Sequence, residues 1–159
     1  MADTFPELKE RLIKSLFRVK NLTSNIHAGE NTKITEYGLS IAEQTLMSAV
    51  KYNAPQSNTN VGISDIQKLL YTSKAAISKM LGVLEKKGYI NRDINKQNRR
   101  ELIITLTEKG NTVLKDIGKD TDDMLLKIIS QLGQEQTEQI INAINQFADV
   151  ISDVMVNKN

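Results

Sequence analysis

Ser73-Lys-Ala-Ala-Ile-Ser-Lys-Met-Leu-Gly-Val-Leu-Glu-Lys-Lys-Gly88 is the stretch whose reading decides the fold. Ile77, Met80, Leu81 and Leu84 recur at steps of three and four, which predicts a helix with one buried stripe. Ser73 stands just before the run, where a side-chain oxygen accepts an orphan backbone N–H of the first turn. Gly88 follows it, where a helix end favours a residue that tolerates positive φ. Away from the stripe lie Lys74, Ala75, Ser78, Lys79 and Gly82. These positions are short or cationic, and such a face can approach nucleic acid closely.

Upstream, Ser64-Asp-Ile-Gln-Lys-Leu-Leu70 predicts a short capped helix, and Tyr71-Thr72 leaves room only for a tight turn. Helix, turn and second helix form a helix-turn-helix, whose second helix is the one offered to a major groove. Downstream, Tyr89 to Ile94 alternates, Asn95 to Asn98 is polar, and Glu101 to Leu106 is rich in apolar and β-branched residues. Two strands around a polar loop predict a hairpin. Its tip carries Lys96, Arg99 and Arg100, with Arg92 near its base, so the hairpin has the character of a basic wing.

The whole chain sets the bounds. Its 159 residues suffice for one domain with a buried core, and 40% hydrophobic with 25% charged residues is ordinary for a globular protein. No apolar run is long enough for a membrane span, and the N-terminal residues have no secretory pattern, so a cytoplasmic protein is expected. Without cysteine there is no disulfide or thiolate metal site. With His27 as the single histidine a metal sensor is disfavoured, and no cofactor is expected. Net charge is +2, but it is uneven. Residues 61–110 carry ten cations against five carboxylates, whereas residues 111–159 carry four against eight. Positive charge gathers on the segment that reads as a nucleic-acid reader.

Around this centre the spacing predicts flanking helices. Phe5, Leu8, Leu12, Leu16, Val19, Leu22 and Ile26 form one amphipathic helix with Thr4 as cap and Pro6 in its first turn, ending at a polar break over residues 27–32. A second helix spans Leu39 to Tyr52, with a Ser40–Glu43 capping box and apolar contacts from Ile41, Leu46, Ala49 and Val50. Ala54 to Asn60 is expected to be an exposed, mobile loop. Val61 to Ile63 is expected to add a short strand beside the wing. Thr107 caps the next helix, with a bend expected near Gly110 or Gly118 and a stop at Gly133. In the last helix, Gln134 to Val156, the residues Ile140, Ile144, Phe147, Ile151 and Val154 step by four and three. A period near 3.5 suits a helix that packs lengthwise on another. That stripe packs either on its own subunit or on a partner. The partner is favoured, because residues 61–110 are expected to hold a small core of their own. The first and last helices then need a cover, and a two-fold dimer supplies it while presenting two recognition helices.

Three signatures resemble the MarR family of winged helix-turn-helix transcription regulators: Ser73-Lys-Ala-Ala-Ile-Ser-Lys79, Leu84-Glu-Lys-Lys-Gly-Tyr-Ile-Asn-Arg92, and Asn98-Arg-Arg followed by Ile-Thr-Leu-Thr-Glu-Lys-Gly110. Together they cover about a third of the chain in the right order. The resemblance implies a mainly α fold with a small β wing, and N- and C-terminal dimerisation helices. It divides the chain into a dimerisation helix (1–35), a winged helix-turn-helix module (36–110) and C-terminal helices (111–159). It implies a homodimer on an inverted-repeat operator in double-stranded DNA, with the recognition helix in the major groove and the wing in the minor groove. Repression is the favoured sign, tuned by a small aromatic or phenolic effector. The chain departs from the family in having Asn98 where an aspartate usually braces a wing arginine, Ala75 and Ala76 where hydroxyl residues are common, and a longer Ala54–Asn60 loop.

The expected DNA contacts are Ser73, Lys74, Ala75, Ser78, Lys79, Arg92, Lys96, Arg99 and Arg100. Ser73 is a cap first and a phosphate donor second. Ala75 is placed to touch a thymine methyl. One of Arg99 and Arg100 faces a narrow minor groove, where negative potential concentrates. Arg92 reads equally as a brace or a contact. The dimer interface is expected from Leu8, Leu12, Leu16, Ile140, Ile144, Phe147, Ile151 and Val154. Tyr37, His27 and Tyr52 are the weak candidates for an effector site. Two other classes compete. An enzyme lacks support, with no nucleophile–histidine constellation or phosphate loop and only Asp122-Asp123 as paired carboxylates. A winged-helix module that binds protein rather than DNA is allowed by the fold but gives the basic helix and wing no purpose.

Overall fold

The computed structural model describes residues 4–53, 62–70, 72–94 and 102–156. Two helix ends built alike frame the fold. Helix α1 (Phe5–Glu36) ends at Gly38, whose φ is 65°. The Gly38 N–H donates to Thr35 O at 2.9 Å and the Leu39 N–H to Ile34 O at 3.0 Å. Ile34 and Leu39, the apolar pair that closes this motif, are both buried. Helix α4 (Lys74–Lys86) ends at Gly88, with φ 73°. There the Gly88 N–H reaches Glu85 O at 2.9 Å and the Tyr89 N–H reaches Leu84 O at 3.0 Å, again around a buried apolar pair. Each left-handed glycine ends its helix and turns the chain back into the core.

The expected break over residues 27–32 is overturned, because α1 continues through it to Glu36. Polar residues do not end a helix when none of them must leave helical φ. The stop comes where a glycine lies between two residues that both need burial. At the other end Thr4 donates its N–H and its hydroxyl to the Glu7 carboxylate, at 2.7 and 2.9 Å. These two bonds, the backbone one first, hold the Glu7 carboxyl below its ordinary value.

Helix α2 (Ile41–Asn53) opens with the expected reciprocal pair: the Ser40 N–H donates to Glu43 Oε2 at 2.8 Å and the Glu43 N–H to Ser40 Oγ at 3.2 Å. Leu46, Met47, Ala49 and Val50 are its buried side. Ile41, expected among them, is 59% exposed. Helix α3 (Ile63–Leu70) begins where a strand was expected: Ile63 is its first residue, while Val61 and the 54–60 loop lie outside the described residues. Strands β1 (Ile90–Ile94) and β2 (Leu102–Leu106) pair antiparallel, Ile90 opposite Leu106 and Ile94 opposite Leu102.

Helix α5 (Glu108–Val156) is capped by Thr107, whose Oγ1 accepts the Gly110 N–H at 3.0 Å and donates to Gly88 O at 2.7 Å. Gly110 is needed for closeness and not for a bend: a Cβ there would lie 2.1 Å from Tyr89 O. Neither Gly110 nor Gly118 breaks the helix. Gly133 does, with φ 77° and ψ 168°, as its place in the sequence predicts.

The chain forms two compact units, residues 1–118 and 119–159. The core of the first gathers Ile66, Ile77, Leu81, Leu84, Tyr89, Ile90 and Ile104 from the helix-turn-helix and wing. It also takes Ile34, Leu39, Leu46, Met47 and Val50 from upstream, and Val113, Leu114 and Ile117 from downstream. The expectation that residues 61–110 hold a core of their own is therefore corrected, since their buried side chains share one core with residues upstream and downstream. Outside that core, Leu8, Leu12 and Leu16 of α1 are 47–48% exposed. In the second unit Ile140, Ile144, Phe147, Ile151 and Val154 are 38–60% exposed. Among the described residues no helix is long and apolar enough to cross a membrane.

Candidate nucleic-acid interface

The candidate interface starts from the two sides of α4. Ile77, Leu81 and Leu84 are buried, and Met80 is packed against them. That fixes the opposite side outward, where Ser73, Lys74, Ala75, Ser78 and Lys79 are all exposed. Ser73 Oγ accepts the Ala76 N–H at 3.2 Å, so its first role is the cap. The N-terminal half of α4 thus offers two ammonium groups, a free methyl and a hydroxyl beside the positive end of a helix dipole. Such a surface attracts phosphate.

The other end of α4 is tied down on three sides. Lys87 Nζ donates to Gly38 O at 2.7 Å and lies 3.0 Å from Glu43 Oε2, joining α4 to the start of α2. Burial pushes the Glu43 carboxyl up, but hydrogen bonds from the Ser40 N–H and Lys87, with the charge of Lys87, outweigh burial and leave it below its ordinary value. Lys109 Nζ donates to Lys87 O at 2.8 Å and sits 4.6 Å over the Tyr89 ring. Glu85 is engaged by Arg92 of β1: the Arg92 Nε donates to Glu85 Oε2 at 2.8 Å, and an Nη2 contact closes on the same oxygen.

Of the residues expected to meet DNA, the five on α4 therefore share one exposed surface. Arg92 does not join them, because it lies half-buried against α4 in an ion pair. Lys96, Arg99 and Arg100, with Asn98, fall outside the described residues. Sequence reasoning missed the Glu43–Lys87 tie. The capping box that positions Glu43 was visible, but its partner lies 44 residues away.

Of the effector candidates, Tyr37 and Tyr52 have described side chains. The Tyr37 hydroxyl is committed to Asp116 Oδ2 at 2.8 Å, a bond that, ahead of burial and the carboxylate's charge, holds the phenol above its ordinary value. Tyr52 is 71% exposed with Lys51 Nζ 5.2 Å from its ring centre, and the His27 side chain is outside the described part. An open hollow near the end of α1 is lined by Asn31, Thr32, Thr35 and Glu36, none of them one of those candidates.

Known proteins agree with this architecture. Residues 53–122 match the family model described as a winged helix DNA-binding domain. The HTH-type transcriptional regulator SarZ of Staphylococcus epidermidis is 25% identical over 127 residues, spanning 79% of this chain and 80% of that one. MepR of S. aureus, solved in its DNA-binding conformation, superposes with a TM-score of 0.70 at 22% identity, over 87% of this chain and 98% of its own. FabT of Streptococcus pneumoniae, solved in complex with DNA, gives 0.63 at 23% identity, over 92% and 99%. With its winged helix domain match, its relatives and a helix-turn-helix followed by a two-stranded wing, the chain is similar to the MarR-like winged-helix regulators.

Proposed function

We propose that this protein is a sequence-specific DNA-binding transcription regulator that acts as a homodimer on an inverted-repeat operator. The observation that carries the proposal is the exposed Ser73–Lys79 side of α4, held outward by the buried stripe of Ile77, Leu81 and Leu84. Lys74 and Lys79 take phosphates or base edges, Ser78 takes a base edge, and Ala75 lies close enough for a thymine methyl. On sequence alone, one of Arg99 and Arg100 is assigned to the neighbouring minor groove, and Lys96 is kept among the DNA contacts of the wing.

Dimerisation is supported by the apolar residues that this chain leaves in solvent on α1 and on the second unit, among them Leu12, Leu16, Ile144 and Ile151. Exposed apolar residues that recur at helical spacing along one helix form the kind of stripe that packs on another helix. Repression is the sign we favour, since the similar MprA of Escherichia coli bears the name of a transcriptional repressor. Release by a small aromatic or phenolic molecule remains part of the proposal, without assigned pocket residues.

The test is selection of bound duplexes from a random library, followed by anisotropy titration. The expected product is a palindrome with half-sites roughly 10 bp apart. Lys74→Ala with Lys79→Ala should abolish the preference. A chain that selects no sequence, or whose double variant selects as well as the parent, refutes this assignment and favours the protein-binding alternative.

A further inference from the structure

Arg92 lies in β1, opposite Ile104 in the antiparallel register. Cross-strand partners share a side of the ribbon, and Ile104 is fully buried. Arg92 therefore points to the core side of the wing, while its neighbours Asn91 and Asp93 point away and are exposed. On that core side it meets Glu85, in the last turn of α4, through Nε at 2.8 Å and through Nη2 on the same oxygen. Both side chains keep some solvent, 27% for Arg92 and 40% for Glu85. The guanidinium thus spends two of its donors on a carboxylate of the recognition helix.

We propose that Arg92 is a positioning residue and not a DNA contact: with Glu85 it locks the base of the wing to the C-terminal end of the recognition helix. This rests on the DNA-binding reading of the α4 surface. The lock matters because a two-stranded ribbon is marginal by itself and needs packing to hold its direction. Ile90 and Ile104 anchor it in the core, but Ile94 at the far end of β1 is 61% exposed. Between them, Arg92 ties β1 to α4 by charge, the last such tie along β1 among the described residues. An angular error there grows along the ribbon beyond Ile94, toward the stretch in which the sequence carries Lys96, Arg99 and Arg100.

The two roles differ in sign. If Arg92 touched phosphate, Glu85 would compete with DNA for it, and Glu85→Gln would release the guanidinium and tighten binding. As a brace, Glu85→Gln loosens the wing and weakens binding, although it makes the chain more positive.

The experiment compares Glu85→Gln, Arg92→Gln and the charge swap Glu85→Arg with Arg92→Glu, which leaves net charge unaltered. Each is titrated against the duplex selected by the unaltered protein, over a range of salt. Hydrogen exchange of β1 and β2 is followed without DNA. The brace predicts that each single change weakens binding about two- to fivefold. The salt slope stays unchanged, wing exchange quickens, and the swap restores both affinity and protection. Tighter binding by Glu85→Gln, a salt slope lower by about one for Arg92→Gln, or a swap that binds no better than Arg92→Gln overturns it. If the unaltered protein selects no duplex, the DNA-binding reading fails. Exchange then decides the brace alone, and wing amides indifferent to both single changes refute it.

Discussion

Lys87 Nζ lies 3.0 Å from one Glu43 oxygen and 3.2 Å from the other, while the same carboxylate caps α2 through the Ser40 N–H. One side chain therefore joins the start of α2 to the end of the recognition helix. The pair is mostly shielded from water, with Glu43 at 11% and Lys87 at 32% exposure. Removing one partner strands the other, so Lys87→Met should cost about 2 kcal/mol in chemical denaturation. A loss within error would mean that water replaces the ammonium freely.

The same carboxylate has a consequence for acid stability. Its folded value lies below the ordinary 4.5, so its contribution is fully present above 4.5 and is lost as pH falls through the folded value. Melting temperature should decline below pH 4.5, and Glu43→Gln should flatten that part of the curve. Parallel curves for the two proteins would assign the acid sensitivity to other carboxylates.

Gly110 tests packing rather than charge. A methyl group there would sit 2.1 Å from the Tyr89 carbonyl oxygen, a backbone atom that cannot rotate away. Gly110→Ala should destabilise by about 2–3 kcal/mol, despite the better helix propensity of alanine. Gly118→Ala meets nothing within 4 Å and should stabilise slightly, which makes it the matched control. Equal effects of the two, seen in urea melts, would remove the close approach as the cause.

Lys79 stands exposed on the outward side of α4. If it meets phosphate, Lys79→Ala should weaken operator binding and lower the salt slope by about one released ion. Affinity that falls with an unchanged slope would move Lys79 from phosphate to base readout.

Ile144 and Ile151 are 60% and 42% exposed. Replacing both by aspartate puts two carboxylates into any apolar interface made there. Sedimentation should then show monomers, and operator binding should fall with them. A dimer that survives would place the association surface elsewhere.

The recognition helix was legible in the sequence down to its cap, its stripe and its terminal glycine, because all three signals are local. The capping box at Ser40–Glu43, the wing strands and the break at Gly133 were legible for the same reason: a periodicity or a special φ is written within a few residues. The true end of α1 was also written locally, as Ile34 and Leu39 around Gly38, the pattern that Leu84, Gly88 and Tyr89 repeat. Counting polar residues over 27–32 obscured it. Tertiary structure alone decided what no window contains. It showed that the helix-turn-helix core needs α2 and the first turns of α5, and that Gly110 is small because Tyr89 passes against it. It also turned Arg92 inward to Glu85 and gave Lys87 to Glu43. Those outcomes depend on which side of a strand or helix meets which distant neighbour, and side-chain identity does not carry that information until the backbone has been folded around it.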